Sequence, residues 1–595
     1  MTSILKNTYG IKVVMFFSFA FLLQFSVTSQ RAMNNYHLDV NSIHTDSCSG
    51  LHALGKFVEL KVDSSFCIAD SYPLKIQTID MVMYGFKIKG KSRFFLQQYV
   101  PLLDLCDSIS ISFNYKSNYQ NKARMIVALI NQRDSVCKLD TIRLWDNTEY
   151  EEVQWSLESE NVKQAIIQLL GDSVPSHDEN NAPFSIGLSN ISIDAFGKVS
   201  ATGEANSINT NLAESKFDIM DKLKNARVIG IAETMHGSAT INQHSFQIIR
   251  QLIERDSCRL VVFELPTNFV LMWDKFVCGD ERIDISNVLD NYTVYSEKET
   301  LDFLMWLKRF NSSAKKKVHL AGMDVANGTE TQKLMLYDLL NFTIDDKKGL
   351  AVIVDSMFTS LNGNIESFYD FLRNNETVKQ SIGSVDFELL LHALANNIQK
   401  RNDVRLIINR DEYMYDNFNY LLSHYEIAEH EKVAIYAHWV HLNKMKTVFP
   451  DGLTASLGSY IDKTYSDKYY VIGMHAGNGL ITNTTKNGIF NTAQLSEPVM
   501  NSIESICLNA GVDSSFIDAG YFPESVYLRL EGTPMKNCND FYLINPGSRM
   551  DAVYFVRNSK GMPIPENRDL ALFRNKRLYD ILLKEEKRRR EMNNR

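Results

Sequence analysis

The stretch RVIGIAETMHGSATINQHSFQIIRQLI, residues 227–253, decides the fold of the longer part of the chain. It opens with an apolar run that ends at Glu233, and from Ser245 onward its apolar residues recur at helical spacing. A buried strand, a short turn and an amphipathic helix in this order are typical of an α/β unit. The turn carries His236, so a carboxylate and an imidazole follow the strand together.

Four later runs repeat the apolar pattern of the first strand: RLVVFELP (259–266), KVHLAGMDV (317–325), KVAIYAHWVH (432–441) and YYVIGMHAGNG (469–479). Such runs predict strands that are buried on both faces of a mostly parallel sheet. Helical spacing recurs between the strands, in SFQIIRQLI (245–253), TLDFLMWLKRF (300–310), VDFELLLHALANNIQ (385–399) and DEYMYDNFNYLL (411–422). We therefore predict an α/β fold with a mostly parallel sheet and helical insertions.

Each predicted strand has a residue capable of chemistry near its end: Glu233 with His236, then Glu264, Asp324, His438 with His441, and His475. The carboxyl ends of parallel strands meet at one edge of a sheet, where α/β proteins bind their ligands. Any one of these residues alone is more often a hydrogen-bonded structural group. Their coincidence predicts a site at this edge.

Composition and charge narrow the class of protein. Of 595 residues, 45% are hydrophobic and 23% are charged, as in a folded globular protein. The net charge of -8 argues against a nucleic-acid partner. The eight cysteines are scattered and lack zinc-ligand spacing, so we expect most of them to be isolated buried thiols.

The N-terminus predicts export. Lys6 and Lys12 lead into an apolar run over 13–23, which is short for a membrane span, and the small residue Ser29 follows. We expect a signal peptide over 1–29 that is cleaved before Gln30. The mature protein would then be periplasmic or secreted, with no stable membrane anchor.

Residues 30–200 show a different pattern. SISISFNYKS (108–117), ARMIVALINQ (123–132) and FSIGLSNISIDAF (184–196) are separated by polar turns, and the first and last alternate apolar and polar residues, which predicts short strands of a jelly-roll-like β-sandwich. A structural accessory module and a glycan binder fit this pattern equally well. A polar connector over 198–211 leads to the α/β domain, predicted over 201–580, and a charged tail over 581–595 ends the chain.

Several known catalytic motifs are missing from the sequence. There is no H-E-x-x-H zinc helix, no G-x-S-x-G nucleophile turn, no P-loop and no G-x-G-x-x-G opening a helix. With these mechanisms excluded, a cleft lined by histidine and glutamate is best suited to hydrolysis, with histidine as general base or as metal ligand.

Seven motifs in order resemble the erythromycin esterase family: IAETMHG (231–237), VVFELP (261–266), WLKRFN (306–311), AGMD (321–324), RDEYMYDN (410–417), YAHWVH (436–441) and ASLG (455–458). The resemblance covers about residues 223–557. It implies a hydrolase, and in the resistance members of the family it implies macrolide lactone opening by water attack.

The resemblance also assigns roles to residues. His236 matches the general base, Glu233 the acid of the same motif, and Glu264 the carboxylate at the next strand end. Arg410 matches the arginine ahead of Met414 and Asn417, while His438 and His441 match the paired histidines. We expect Arg410 to stabilise the oxyanion, aided by His438 or His441, and a carboxylate to orient His236.

Three residues are expected to contact substrate or to support its binding: Asp324, Asn417 and Trp439. Asp324 could instead fix Arg410, and Met414 and Trp306 are expected in the core. Two positions depart from the family pattern, since Ala232 replaces a common glycine and Trp439 a usual asparagine. An indole there would reshape the cleft, so the substrate can differ while the chemistry is kept.

Under the leading interpretation the protein hydrolyses a small-molecule ester or lactone and needs no cofactor and no metal. Two alternatives stay open at this point. One is a metal-dependent hydrolase with Glu233, His236, His438 and Glu264 as ligands, because carboxylates and imidazoles suit zinc or manganese. The other is a binding protein that keeps the pocket without turnover.

Overall fold

The structure is a computed structural model. It describes residues 31–37, 51–56, 58–62, 74–78, 81–83, 86–88, 91–131, 136–175, 177–180, 182–198, 219–285, 295, 297–325, 329–346, 349–354, 365–402, 410–444, 456–484, 489–499, 501–523, 526–531, 541–564, 576, 579–581, 583–584, 587 and 590. The predicted signal peptide, nearly all of the connector, most of the charged tail, and Cys48, Cys67 and Cys538 lie outside these residues.

The chain divides into two compact units, Met1–Asn209 and Thr210–Arg595. The division falls within the polar connector. Whether either unit folds alone stays a prediction.

The first unit is built from antiparallel strands. In chain order they are β1 (Arg31–His37), β2 (Leu51–Lys56), β3 (Val58–Val62), β4 (Leu74–Thr78), β5 (Met81–Met83), β6 (Phe86–Ile88), β7 (Lys91–Ser117), β8 (Ala123–Asn131), β9 (Val136–Leu144), β10 (Glu151–Pro175) and β11 (Ser185–Lys198). The main sheet has the order β3-β4-β11-β7-β10-β8-β9, with β1 beside β11 and β2 beside β7.

Alternation in the sequence sets the core of this unit. Ile109, Ile111, Phe113 and Tyr115 of β7 are all buried, as their period of two predicts. The expectation of uniformly short strands is wrong, because β7 and β10 have 27 and 25 residues. β10 has register shifts near Val162 and Gly171, and irregularities of this kind let a long strand bend.

The second unit holds the predicted α/β sheet. Its strands are β12 (Val228–Glu233), β13 (Cys258–Pro266), β14 (His319–Asp324), β15 (Lys432–His438), β16 (Tyr469–Thr484), β17 (Phe490–Gln494), β18 (Ser514–Asp518), β19 (Val526–Arg529), β20 (Phe541–Ile544) and β21 (Ala552–Ser559). The order is β14-β13-β15-β12-β16-β21-β18, parallel except for β18, which runs antiparallel to β21.

All five predicted strands are present in this sheet. Every residue of β12 and of β15 is buried, which explains why residues 228–232 and 433–437 are continuously apolar. β21 extends the parallel sheet beyond the prediction. β17 and β18 add antiparallel edges, while β19 pairs with β20 in a separate ribbon.

The helices of this unit pack on the sheet or follow one another as insertions. They are α1 (Ile219–Leu223), α2 (Ala239–Arg255), α3 (Thr267–Val277), α4 (Glu297–Ser313), α5 (Thr329–Thr343), α6 (Ile365–Arg373), α7 (Glu376–Ile382), α8 (Ser384–Asn402), α9 (Arg410–His424), α10 (Trp439–Leu442), α11 (Leu457–Tyr465), α12 (Ile503–Asn509) and α13 (Pro546–Arg549).

The helices confirm two core assignments. Met414 of α9 is fully buried, and Trp306 of α4 is partly buried against Phe303 and Phe310. Cys106, Cys258 and Cys507 are buried free thiols, as expected. Among the described residues, no helix combines the length and apolar character that a membrane crossing requires.

Candidate active site

The turn between β12 and α2 is held rigidly. His236 donates its backbone N–H to the Glu531 carbonyl at 3.1 Å, and Ser238 caps α2 by accepting from Ile241 N. Gly237 has φ +86°, and a Cβ there would lie 2.0 Å from the Thr482 carbonyl oxygen. Only glycine fits this position, so the backbone fixes where the imidazole begins.

Glu233 and His236 form a buried pair. Glu233 Oε1 lies 2.8 Å from His236 Nδ1, while Glu233 Oε2 accepts from the Tyr436 hydroxyl at 2.8 Å and from Asn242 Nδ2 at 3.4 Å. The carboxylate therefore holds Nδ1–H of the imidazole and is itself held by two donors. His236 Nε2 has no hydrogen-bond partner among the described residues. It also keeps some contact with solvent, so a water molecule can reach it.

The environment of His236 suits a base. Burial alone would lower the pKa of His236, but the hydrogen bond and negative charge of Glu233, with a contribution from Glu264, raise it above its ordinary value. A raised pKa strengthens the imidazole as a proton acceptor. It also means that the neutral form dominates only at higher pH.

Arg410 lies at the start of α9 and joins two strand ends. Its Nε donates to Asp324 Oδ1 at 2.8 Å, and one Nη donates to Glu264 Oε1 at 3.0 Å. Burial opposes its charge, yet Asp324 and Glu264 raise the pKa of Arg410, so it stays cationic. Asp324 thus fixes Arg410, the second of the two roles considered for it.

His441 lies between two carboxylates. Its Nδ1 is 2.8 Å from Asp411 Oδ1 and its Nε2 is 3.1 Å from Glu264 Oε1. Burial opposes the charge, but Asp411 and then Glu264 raise the pKa of His441 to about 10. Both ring nitrogens of an imidazolium are donors, so the 3.2 Å between His441 Nε2 and the Arg410 guanidinium is a contact of like charges.

Glu264 stays ionised between these cations. Burial opposes ionisation, but His441 and Arg410 hold the pKa of Glu264 well below its usual range. Its second oxygen, Oε2, accepts from the His438 backbone N–H at 2.9 Å.

His438 contacts the proposed base. The two rings lie 4.7 Å apart between centroids and are tilted by 42°. Burial and then the charge of His236 hold the pKa of His438 well below its ordinary value, so this imidazole is neutral.

All six residues predicted to be catalytic therefore meet at one edge of the sheet, where β12, β13, β14 and β15 end. Glu233 and His438 are register partners in neighbouring strands, which brings residues distant in sequence side by side.

Asn417 and Trp439 were both expected to contact substrate. Asn417 is buried, donates to the Met323 carbonyl at 2.9 Å and accepts from Asn396 at 2.8 Å, so its amide supports the fold, and its contact with substrate stays a prediction. Trp439 is buried, and its indole has no ring contact or hydrogen bond with the described residues. Its role in substrate binding stays a prediction.

His475 does not end a strand, because β16 continues to Thr484. It is fully buried and its Nδ1 lies 3.0 Å from Glu504 Oε1, outside the cluster around His236.

Sequence reasoning missed three supporting residues: Tyr436, Asn242 and Asp411. Tyr436 precedes His438 by two residues, and in a strand that spacing puts both side chains on one face. This signal could have found it. Asp411 is adjacent to Arg410, but nothing in its spacing indicated a contact with His441.

The described geometry does not favour a metal held by Glu233, His236, His438 and Glu264. Both Glu233 oxygens already accept hydrogen bonds, and Glu264 is shared between a guanidinium, an imidazolium and a backbone N–H. A metal would have to displace these donors and would leave Arg410 and His441 facing it as like charges.

An oriented histidine and a cationic arginine at the carboxyl edge of a mostly parallel sheet place the second unit among α/β proteins with a polar site at that edge. Residues 362–558 match the family model described as erythromycin esterase, the family that the motifs resemble. The matched span starts after His236 and Glu264 in sequence. The strand that precedes His236, β12, and the strand that contains Glu264, β13, both pair with β15 inside the matched span.

Comparison with solved structures gives distant likenesses. A succinoglycan biosynthesis protein is 14% identical with a TM-score of 0.44, over 60% of this chain and 97% of its own. A mutant of the erythromycin esterase EreC in its open conformation is 16% identical with a TM-score of 0.38, over 60% and 98%. The galactotriose complex of TmCBM61 is 14% identical with a TM-score of 0.19, over 27% and 97%. No curated protein matches the chain.

Proposed function

We propose that the protein is an exported hydrolase that cleaves an ester or lactone by direct attack of water, with His236 as the general base. The observation that carries this proposal is the Glu233–His236 pair. Glu233 holds Nδ1 at 2.8 Å, and Nε2 is left without a partner among the described residues.

The chemistry follows from the tautomer of His236 in which Nδ1 carries the hydrogen and Nε2 is free to accept a proton. His236 Nε2 takes a proton from water, and the water oxygen forms a bond to the acyl carbon. The C–O bond to the alkoxide then breaks, and the alkoxide receives the proton from Nε2, giving a carboxylic acid and an alcohol. Glu233 stabilises the imidazolium between these steps without accepting its proton.

Arg410 is the proposed oxyanion donor. Its Nε and one Nη are used by Asp324 and Glu264, and its side chain keeps 28% exposure, so the remaining N–H groups can face a ligand. His441 has both nitrogens occupied by carboxylates and a pKa of about 10, which makes it a poor acid for the leaving group. We assign it to holding Glu264 and Arg410 in place.

The test is a screen of macrolides, simple lactones and aryl esters with the full-length protein, each run with and without prior EDTA treatment. Mass spectrometry should show a product that has gained one water. Activity that disappears with EDTA and returns with zinc or manganese would promote the metal-dependent alternative. Binding without any turnover across the set would support the binding protein.

For the first unit we propose a β-sandwich that contacts glycan. Trp145 has 54% exposure, and the Arg143 guanidinium lies 5.0 Å from its ring centroid. An exposed indole gives a sugar ring an apolar face for stacking. Affinity electrophoresis on soluble polysaccharides should show retardation that Trp145→Ala removes, and equal mobility on all of them would refute the assignment.

Export is tested separately. We propose cleavage before Gln30, and mass spectrometry of the protein recovered outside the cytoplasm should show that N-terminus.

A further inference from the structure

Away from the active site, Asp274, Cys278 and His319 bring a carboxylate, a thiol and an imidazole together. Asp274 lies on α3, Cys278 caps the end of that helix, and His319 is the first residue of β14. Asp324, which belongs to the active site, ends the same strand five positions after His319, or about 16 Å along the strand. This cluster is therefore a separate feature at the opposite edge of the sheet.

The distances within the cluster match those between ligands of one tetrahedral metal ion. Cys278 Sγ lies 3.7 Å from His319 Nδ1 and 3.8 Å from Asp274 Oδ1, and His319 Nδ1 lies 3.1 Å from Asp274 Oδ2. With Zn–S of about 2.3 Å and Zn–N or Zn–O of about 2.0 Å, tetrahedral angles place sulfur about 3.5 Å from either partner and nitrogen about 3.3 Å from oxygen. Shifts of a few tenths of an ångström complete the site.

The surroundings orient two of the ligands. Asp274 Oδ1 accepts from the Leu320 backbone N–H at 2.8 Å, and the His319 ring stacks on Tyr425 with centroids 4.6 Å apart. Outer contacts of this kind hold metal ligands in the binding orientation.

The cluster lines a cavity of about 420 Å³. The cavity wall also carries Asp280, Asp386 and Glu426, of which Asp386 pairs with Lys275 and Asp280 with Arg282. Three protein ligands beside such a cavity leave a fourth position for water, as in zinc sites that keep an open position.

We propose that Asp274, Cys278 and His319 bind one Zn²⁺, with water from the cavity as the fourth ligand. Thiolate and imidazole favour zinc over magnesium or calcium, and the carboxylate is compatible with it. Binding links the end of α3 to the start of β14, so the ion stabilises this part of the second unit. The proposal does not depend on hydrolysis by His236.

The test uses the full-length protein after EDTA treatment and removal of the chelator. Zinc is titrated against a chromophoric chelator, and Co²⁺ is added to a parallel sample. We expect one zinc per chain, a thiolate-to-cobalt charge-transfer band in the near ultraviolet, and a higher Tm with zinc. Cys278→Ser and His319→Gln should each weaken zinc binding by more than about 10-fold, since loss of an outer contact to a ligand already costs about that much.

Cys137→Ser is the matched control, because Cys137 is an exposed free thiol of the first unit. It should keep the zinc affinity and the cobalt band. The proposal is overturned if zinc does not bind, if the cobalt complex lacks the thiolate band, or if the bound zinc survives both Cys278→Ser and His319→Gln. The cobalt spectrum of the unaltered protein decides the matter even where a variant fails to fold.

Discussion

Replacing Glu233 with Gln tests whether the carboxylate orients His236 for catalysis. The amide keeps the size of the side chain but removes the charge that holds His236 Nδ1–H at 2.8 Å. Tyr436 and Asn242 both donate to Glu233 Oε2. If the amide oxygen of Gln faces His236, its NH₂ group therefore faces these two donors and loses both hydrogen bonds. If the amide flips, NH₂ points at Nδ1 and favours the tautomer that protonates Nε2, the atom that must accept the proton.

The magnitude follows from these two effects. A hydrogen bond to a charged group contributes about 1.5–3 kcal/mol, and losing it as the imidazolium forms lowers the rate roughly 10- to 150-fold. The wrong tautomer lowers it further, so kcat/KM should fall about 10²- to 10³-fold. The remaining rate should rise with pH at a lower pH than in the unaltered enzyme, because Glu233 no longer raises the pKa of His236.

The assay is kcat/KM against pH on the best substrate of the screen, with Tm measured on the same samples. Glu504→Gln is the matched control, since Glu504 pairs with His475 Nδ1 at 3.0 Å and both are fully buried outside the site. Glu504→Gln should lower Tm, because it removes the charge of a buried pair. It should leave kcat/KM within about threefold, because that pair does not touch His236. A Glu233→Gln protein that keeps kcat/KM within threefold and the same pH profile would refute the role of Glu233.

Three further predictions concern pH, the turn and the domain division. In the unaltered enzyme kcat/KM should rise with pH through one ionisation above 6.5, because Glu233 raises the pKa of His236 and only the neutral form is a base; a midpoint below 6.5 would contradict this. Gly237→Ala should cost roughly 3 kcal/mol or more of unfolding free energy in urea, while Gly511→Ala, with positive φ and open space around it, should cost only about 1–2 kcal/mol. Equal losses would show that the Thr482 carbonyl exerts no constraint. Deleting residues 1–205 should leave a cooperatively unfolding second unit, since the units divide at Asn209, and failure to recover any folded fragment would mean that the two cores depend on each other.

The sequence could predict the α/β sheet because burial on both faces makes its strands continuously apolar. It could also predict that Glu233, Glu264, Asp324 and His438 converge, because the topology of a parallel sheet puts its strand ends at one edge. β18 and β21 were missed, since the helices ahead of them have only seven and four residues and give no clear helical periodicity in the sequence.

The partners within the site could not be read from the sequence. That Asp411 takes His441 Nδ1 depends on how α9 packs beside α10, which no local pattern specifies. The contacts of the Asn417 amide could not be read for the same reason, because its partners Asn396 and Met323 lie 21 and 94 positions away. The length of β7 was missed because residues 91–107 lack the clean alternation of 108–117.

The central claim is that His236 is the base that activates water, and kcat/KM for His236→Ala tests it most directly. The account predicts a fall of about 10³-fold or more with an unchanged circular dichroism spectrum, because the imidazole lies on a turn and contributes little to the core. A folded His236→Ala protein that hydrolyses the same substrate at a comparable rate would contradict it.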